Sequence, residues 1–529
     1  MRIASPRGAR TREPTRRGIT DRLRVASAML LGATLLLLGG CLTSPRQWVR
    51  QGFKVGPEHR PPAAPAAERW IDAESPGVDD RGRIEAKWWT VFSDPVLDAL
   101  IDKVSRQNLD LREAGARILE ARSRLAIARG SLFPQTQEMF GAMTRTQMSR
   151  TTAKPIKVPF FDDWTTGFNA SWELDLWGRF RRGVEGSEAD LDAAIEDCRG
   201  TLVVLQGEVA LAYLQMRIAQ ERIALANRNV EFQQKTLELA ELRFREGKTS
   251  KLDVTQAQQT LAATRALVPQ LEIALRESQN ALCVLLSVPP YDLTAELGPA
   301  PIPSPPAQVV VGIPAQLLAR RPDIRRAEQL VKAQSARIGI AEADLYPRIA
   351  ITGTIGYESR NVSSLFQGDS FIGTVGPGFR WNILNYGRIV NNVRAEEARL
   401  QELLLNYQKL VIKAHEEVET AIVRFLREQE RAAFLQEAVA AASESVALAE
   451  SQYRIGKADF QRLIDSQRVL VVLQDQWTAS RGLVATNLVA VYKALGGGWQ
   501  ATTATAFAAE SGGIPRSETE RLPQAAPAP

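Results

Sequence analysis

The apolar positions of this chain follow two periods. From Leu191 they step by four and three through Ile195, Cys198, Leu202, Leu205, Val209, Ala212, Met216, Ala219, Ile223, Ala226 and Val230. After a polar Gln233 the frame resumes at Leu237, Ala240 and Phe244. The same frame returns through Leu400, Leu404, Tyr407, Val411, Ala414, Val418, Ala421 and Phe425, and continues through Leu435, Val439, Ala442 and Val446 to Tyr453, with Glu428 as its odd member. Sustained heptads predict coiled-coil helices. The first, from about Phe180 to Glu246, spans on the order of 100 Å at 1.5 Å per residue. Gly247 and Gly456 suit the left-handed residue that ends a helix, and Lys248 and Lys457 follow them. Ser250, with Asp253 three residues on, then reads as a helix start, and Asp459 is placed to cap the corresponding start in the second half. Return helices follow, on frames through Val254, Leu261, Val268, Leu271, Leu275 and Leu282, and through Leu463, Leu470, Leu473, Trp477, Val484, Val491 and Leu495. Pro269 predicts a kink or interruption in the first return helix; Thr478, its counterpart, does not. Shorter helices are expected at about 95–130 and 314–343.

Between the short and long helices the period changes to two. Trp164, Thr166, Phe168, Ala170, Trp172, Leu174 and Leu176 alternate with Thr165, Gly167, Asn169, Ser171, Glu173 and Asp175. Phe371, Gly373, Val375, Phe379, Trp381 and Ile383 behave alike, Ile349, Ile351, Ile355 and Tyr357 form a third strand, and residues 134–146 form a weaker fourth. One face of such strands suits lipid or a core and the other suits water. Their length, and the aromatics towards their ends, fit an outer-membrane barrel; a half-buried sheet in a soluble domain is the alternative. Four strands cannot close a transmembrane barrel, for which eight is the usual minimum, so membrane strands here require several chains to share one barrel.

The two periods occur twice. Trp177-Gly178-Arg179 recurs as Tyr386-Gly387-Arg388, and Phe244-Arg245-Glu246-Gly247-Lys248 recurs as Tyr453-Arg454-Ile455-Gly456-Lys457, both at an offset of 209. Leu132-Phe133-Pro134 recurs as Leu345-Tyr346-Pro347 at 213. This spacing far exceeds solenoid periods and implies two large halves, over 86–290 and 291–499.

The termini lie outside these halves. Residues 1–24 are rich in Arg, Val25 to Leu38 is a short apolar run, and Gly39-Gly40-Cys41 closes it. The run is shorter than the roughly 20 residues that span a bilayer, and the pattern is that of an export signal over 1–40. It resembles a bacterial lipoprotein signal, which implies a covalent lipid on Cys41; Leu42, in place of an Asp, implies sorting to the outer membrane. Residues 41–85, with Pro57, Pro61, Pro62, Pro65 and Pro76, read as an extended, poorly structured lead, and 500–529 as a disordered tail. The chain has 66 basic and 60 acidic residues; removing the 8 Arg and 2 acids of the signal leaves 58 of each. The basic excess belongs to the signal and does not argue for nucleic acid. Cys198 and Cys283 read as isolated helix-core thiols.

Nothing in the chain reads as catalytic. His415, in Ala-His-Glu-Glu-Val-Glu, lacks the second His of a zinc-protease helix. There is no phosphate loop, no nucleophile elbow and no metal-spaced Cys cluster. No cofactor is expected beyond the lipid, and the chain is not expected to be an enzyme.

The order of lipid Cys, duplicated strand–helix units and Gly tips, ending in Tyr492-Lys493-Ala494-Leu495-Gly496-Gly497-Gly498-Trp499, is similar to the TolC-like outer membrane factors, and most to the NodT-type efflux lipoproteins. Leu317-Leu318-Ala319-Arg320-Arg321-Pro322-Asp323-Ile324-Arg325 and Ile338-Gly339-Ile340-Ala341 add to the resemblance, which covers roughly 50–499. It implies an α+β fold in which a homotrimer, with four strands per chain, builds a twelve-stranded barrel continued by a helical tunnel through the periplasm. It also implies a passive exit duct joined through a periplasmic adaptor to an inner-membrane pump, with the tips at Gly247, Lys248, Gly456 and Lys457 touching the adaptor. By motif Asp465 matches the acidic position that narrows the pore entrance; Arg462 stands where the family often has a second acid, and is placed to pair with Asp465 at i, i+3 or to lie near Asp253. A channel for type I protein secretion and a lipid-anchored coiled-coil scaffold without a pore remain the alternatives.

Overall fold

The computed structural model describes residues 43–65, 67–80, 82, 85–149 and 160–501. The export signal, Cys41 and all but the first two residues of the 500–529 tail lie outside them. In chain order the elements are α1 (Pro45–Arg50), β1 (Val78–Asp79), α2 (Pro95–Gln107), α3 (Leu109–Gly130), β2 (Thr136–Gln147), β3 (Phe160–Leu174), α4 (Arg179–Arg245), α5 (Lys251–Leu285), α6 (Thr294–Leu297), β4 (Val309–Val310), α7 (Gln316–Arg320), α8 (Pro322–Ala343), β5 (Arg348–Ser359), β6 (Phe371–Arg380), α9 (Arg388–Arg454) and α10 (Phe460–Ala494). The long helices α4 and α9 have 67 residues each, and the return helices α5 and α10 have 35 each. Every boundary of α9 and α10 falls 209 residues beyond its counterpart. Compactness divides the chain differently: each of two units draws on both halves.

The first unit takes Met1–Glu58, Gly130–Gly183 and Ser335–Glu397. Its centre is an antiparallel sheet in the order β2-β3-β5-β6. Period-two alternation divides its side chains as the sequence predicts. Phe168, Ile355, Met139, Phe371, Val375 and Phe379 are exposed, and the register sets Met139 and Ile355 on either side of Phe168. The opposite face holds polar contacts, such as the bond Thr354 Oγ1 donates to Asn169 Oδ1 (2.8 Å). Gly167 and Gly356 face each other across β3 and β5; a Cβ on Gly356 would stand 2.3 Å from the Thr166 carbonyl oxygen, so only glycine permits this approach. The sequence frame runs a little too far at the strand ends. Leu176 lies beyond β3, and Trp381 and Ile383 lie beyond β6. Trp172 and Trp381 instead close corners, donating through Nε1 to the carbonyls of Leu132 (3.2 Å) and Leu345 (2.9 Å) in the two Leu-aromatic-Pro repeats.

The lead is not loose where it is described. Ser44 caps α1 by accepting from the Gln47 amide. Trp48 packs on Trp177 with ring centroids 5.3 Å apart, and Trp177 stacks on Tyr346 at 4.5 Å. Arg181 donates to the carbonyls of Gly52 (2.5 Å) and Phe53 (2.9 Å), and buried Arg182 to those of Val55 (3.0 Å) and Gly56 (3.1 Å). Guanidinium groups from a distant segment satisfy the carbonyls of residues 52–56, just ahead of the prolines that begin at Pro57.

The second unit takes His59–Arg129, Val184–Gln334 and Ala398–Pro529. Its core packs Leu97, Ile101 and Leu111 with Val209, Tyr213, Leu214, Phe425 and Leu488; of the long-helix residues, Val209 and Phe425 are frame positions, and Tyr213, Leu214 and Leu488 lie beside the frame. An apolar stretch of α4 has the length and composition to cross a membrane, but is 72% buried in the structure, as a core helix is. The shorter helices expected at 95–130 and 314–343 are each broken in two. Asn108 breaks the first: its side-chain amide donates to Leu285 O (2.8 Å) and its oxygen accepts from Leu111 N (3.1 Å), capping α3. The second breaks at Arg321, whose backbone is extended ahead of Pro322, the first residue of α8. The Arg321 guanidinium pairs with Asp323 (2.7 Å) and Glu417 (2.8 Å) and donates to Ala494 O at the end of α10 (2.9 Å). Trp499 lies between the guanidinium groups of Arg199 (4.7 Å) and Arg325 (5.1 Å) and donates to Arg320 O (2.8 Å). The Arg-Arg-Pro-Asp-Ile-Arg and Gly-Gly-Gly-Trp motifs are therefore the two sides of one joint. Pro269 bends the expectation less than its chemistry suggests: α5 runs through it without interruption. Cys198 and Cys283 are free and buried.

Candidate functional site: the helix tips

The ends of α4, α5, α9 and α10 gather most of the residues singled out in the sequence. Gly247 has φ +70° and Gly456 φ +77°. Each closes its helix by the same pair of bonds. Lys248 N donates to Arg243 O (2.9 Å) and Gly247 N to Phe244 O (3.0 Å); Lys457 N donates to Gln452 O (2.9 Å) and Gly456 N to Tyr453 O (3.0 Å). These are left-handed caps that satisfy the last carbonyls. No other atom lies within 4 Å of a Cβ built on Gly247, so the backbone angle alone selects glycine there, by roughly 1 kcal/mol. Lys248 and Lys457 are exposed. Lys248 pairs with Glu246 (2.8 Å), which holds the Glu246 carboxyl below its usual range.

The helix starts differ from the expected caps in their partners. Ser250 and Asp459 occupy the cap positions, but neither side chain bonds to the backbone. The Ser250 hydroxyl donates to Asp253 Oδ1 (3.1 Å), and Thr249 donates to Asp253 Oδ2. Asp253 is thus turned back onto its own turn. Asp465 is separate from it, with a side chain 55% exposed, and accepts from Gln461 Nε2 (2.9 Å to each oxygen). Its charged partner is Arg468 (3.6 Å), one turn on, rather than Arg462. Both spacings are helical neighbours, and the direction of the side chains selects between them.

Periodicity gave no sign of the contacts that hold the tips together. Arg243 donates to the Tyr453 carbonyl, and its guanidinium lies 4.5 Å from the Tyr453 ring. Tyr453 is 3% exposed and packs on Phe460 at 5.2 Å. Burial pushes its hydroxyl pKa up. Buried Gln467 donates to Thr236 Oγ1 (2.8 Å), and Gln256 to Gln461 (3.0 Å). These bonds join residues 205 to 231 positions apart. The only sequence signal near them was the repeated tip motif itself. Leu242, Phe244, Leu252 and Ile455 leave apolar surface exposed around the caps. Among the described residues no cluster of His, Cys, Asp and Glu could hold a metal ion. The arrangement offers fixed turns, an exposed carboxylate and a cation–aromatic tie.

The profile of the outer membrane efflux protein family matches residues 100–287 and 313–497. Nodulation protein T of Rhizobium leguminosarum bv. trifolii is 31% identical over 446 residues, covering 83% of this chain and 90% of that protein. The pyoverdine export outer membrane protein OpmQ of Pseudomonas putida is 31% identical over 426 residues, covering 80% and 90%. Among solved structures, the outer-membrane channel OprN superposes with a TM-score of 0.80 at 32% identity, covering 84% of this chain and 99% of that one. With the family profile matching over more than half of the chain and full-length relatives at 31% identity, the chain belongs to the outer membrane efflux protein family and is an efflux channel of the outer membrane.

Proposed function

We propose that three copies of this chain form the outer-membrane duct of a tripartite efflux system, a passive exit for small solutes joined to an inner-membrane pump by a periplasmic adaptor. The four-stranded sheet carries this reading. One of its faces is apolar and exposed, and its edge strands β2 and β6 have no further strand beside them among the described residues. Lipid does not tolerate an open edge. Two copies would close eight strands, whose interior side chains fill; three give twelve and leave room for a duct. The paired helices, on the order of 100 Å long at 1.5 Å per residue, line the periplasmic passage. The name of OpmQ, a pyoverdine exporter, favours small solutes over secreted proteins.

In this reading Gly247, Lys248, Gly456 and Lys457 present the turns that an adaptor touches. Asp465 recurs three times about the axis and favours cations at the entrance, while Asp253 is held within its own turn and Arg462 leaves Asp465 to Arg468. Cys41 carries a lipid that adds a second tether. Chemical cross-linking in membranes tests the assembly: the ladder should end at three chains, and planar bilayers containing the product should conduct. A ladder ending at two, or a product without conductance, refutes the reading. A photo-cross-linker at Lys248 or Lys457 should capture an adaptor in cells, and capture only from β2–β6 would reverse the orientation.

A further inference from the structure

The polar face of the four-stranded sheet carries several charges at the end where β2 and β5 begin and β3 and β6 finish. Two pairs close inside the chain: Arg348 with Asp344 (2.6 Å) and Glu173 with Arg179 (3.4 Å). Two charges are left over. Arg380, the last residue of β6, is exposed and lies directly opposite Arg348, and like charges so placed repel. Glu138 is exposed on β2 and lies directly opposite Asn169, so it shares the polar face. Among the described residues, neither of these side chains meets a polar partner. They have opposite signs, and they stand on the two edge strands of the sheet.

The internal repeat sets which residues of two such edges face each other. Thr136 pairs with Ser171 where β2 starts, and Arg348 pairs with Arg380 where β5 starts. Arg380 is therefore the counterpart of Ser171. On its other side Ser171 faces Thr352 of β5, and the residue at the same place in β2 is Phe140. A seam that repeats the junction of β3 with β5 sets Arg380 opposite Phe140 of the next copy and diagonal to the Glu138 of that copy, on the same face. Diagonal neighbours lie about 7–8 Å apart, within reach of side chains as long as Arg and Glu. The apolar face fits the same register. Phe379, 77% exposed, comes to lie over Gly141, and an aromatic ring covers the backbone that an edge glycine leaves bare. We propose that Arg380 of one copy pairs with Glu138 of the next, and that this ion pair ties the seam between copies at the end of the sheet that leads into the helices. The pairing rests on the three-copy duct proposed above and names a contact that holds it closed.

Cysteines test the contact, and glutamines test its charge. In membranes, a short thiol-specific bifunctional reagent should link Glu138→Cys/Arg380→Cys into a covalent ladder that ends at three chains on denaturing gels. Glu138→Cys/Thr374→Cys is the control. Its second thiol is on the same polar face but six residues further along β6, about 20 Å away at 3.3 Å per residue, and it should stay a single chain. General cross-linking of the same proteins reports assembly independently. Three-chain assembly with no thiol link from the 138/380 pair, or with as much from the 138/374 pair, overturns the seam and leaves the duct reading intact. A thiol ladder that ends at two chains supports the seam and overturns the count of three. The charge is read from the assembled band on gels as temperature rises. Arg380→Gln should lower the ratio of assembled to dissociated protein about twofold to fivefold in the parent. It should not lower that ratio in Glu138→Gln, where only the repulsion from Arg348 is lost. The same fall in both backgrounds overturns the ion pair.

Discussion

Phe168 offers the sharpest test of the membrane face. It lies in the middle of β3, 56% exposed, between Met139 and Ile355. Leu174, at the end of the same strand, is half-buried and is the weaker site for a charge. An Arg near the bilayer mid-plane costs about 2–4 kcal/mol. Losing the part of the Phe ring that faces lipid, a little over half of it, adds about 1 kcal/mol. Phe168→Arg should therefore cost roughly 3–5 kcal/mol per chain, and every copy in an assembly carries it. Asn169→Arg is the matched control. It places the same charge one residue away on the opposite face and sacrifices the bond from Thr354, worth about 1 kcal/mol. Urea titration of the protein folded into lipid vesicles, read by tryptophan fluorescence and by the assembled band on gels, measures both. Phe168→Arg should fail to assemble, or unfold at far lower urea, while Asn169→Arg stays near the parent. Equal midpoints for the two variants would refute the assignment of faces.

Four further outcomes are expected. Asp465→Ala should raise leak conductance and lower cation preference in planar bilayers, while Asp102→Ala, paired with Arg106 in α2 and away from the tips, should change neither; identical selectivity in both removes Asp465 from the entrance. Arg243→Ala loses a cation stacked on a buried Tyr, worth about 1–2 kcal/mol, and limited proteolysis should then cut faster around residues 246–250; an unchanged cutting rate would show that the tie does not hold the turn. Gly456→Ala forces a side chain into φ +77° and should cost about 1 kcal/mol in thermal melts, whereas Gly130→Ala should not destabilise; equal melts would contradict the cap. Cys41→Ser should abolish palmitate labelling in cells, and persistent labelling would remove the lipid from Cys41.

Much of this protein is written locally. A 3.6-residue period over dozens of positions leaves little choice but a long helix, and alternation leaves little choice but a strand with one apolar face. Gly247 and Gly456 end their helices because a left-handed residue is a property of one backbone position. The common offset of 209 between the halves follows from comparing the chain with itself. The tertiary structure decided which segments answer one another. Asn108 ends a helix that periodicity alone would continue, because its side chain is claimed by Leu285 from elsewhere in the chain; Arg321 is extended because Pro322 follows it, and what the fold adds there is its pairing with Glu417 and Ala494. The stretch of the lead ahead of Pro57 is held by Arg181 and Arg182, and Asp465 takes Arg468 over Arg462 because direction on the helix separates two spacings that are equivalent in sequence. The tie between Arg243 and Tyr453 spans 210 positions. A contact between distant residues depends on where two backbones pass in space, and that leaves no periodic mark on either stretch of chain.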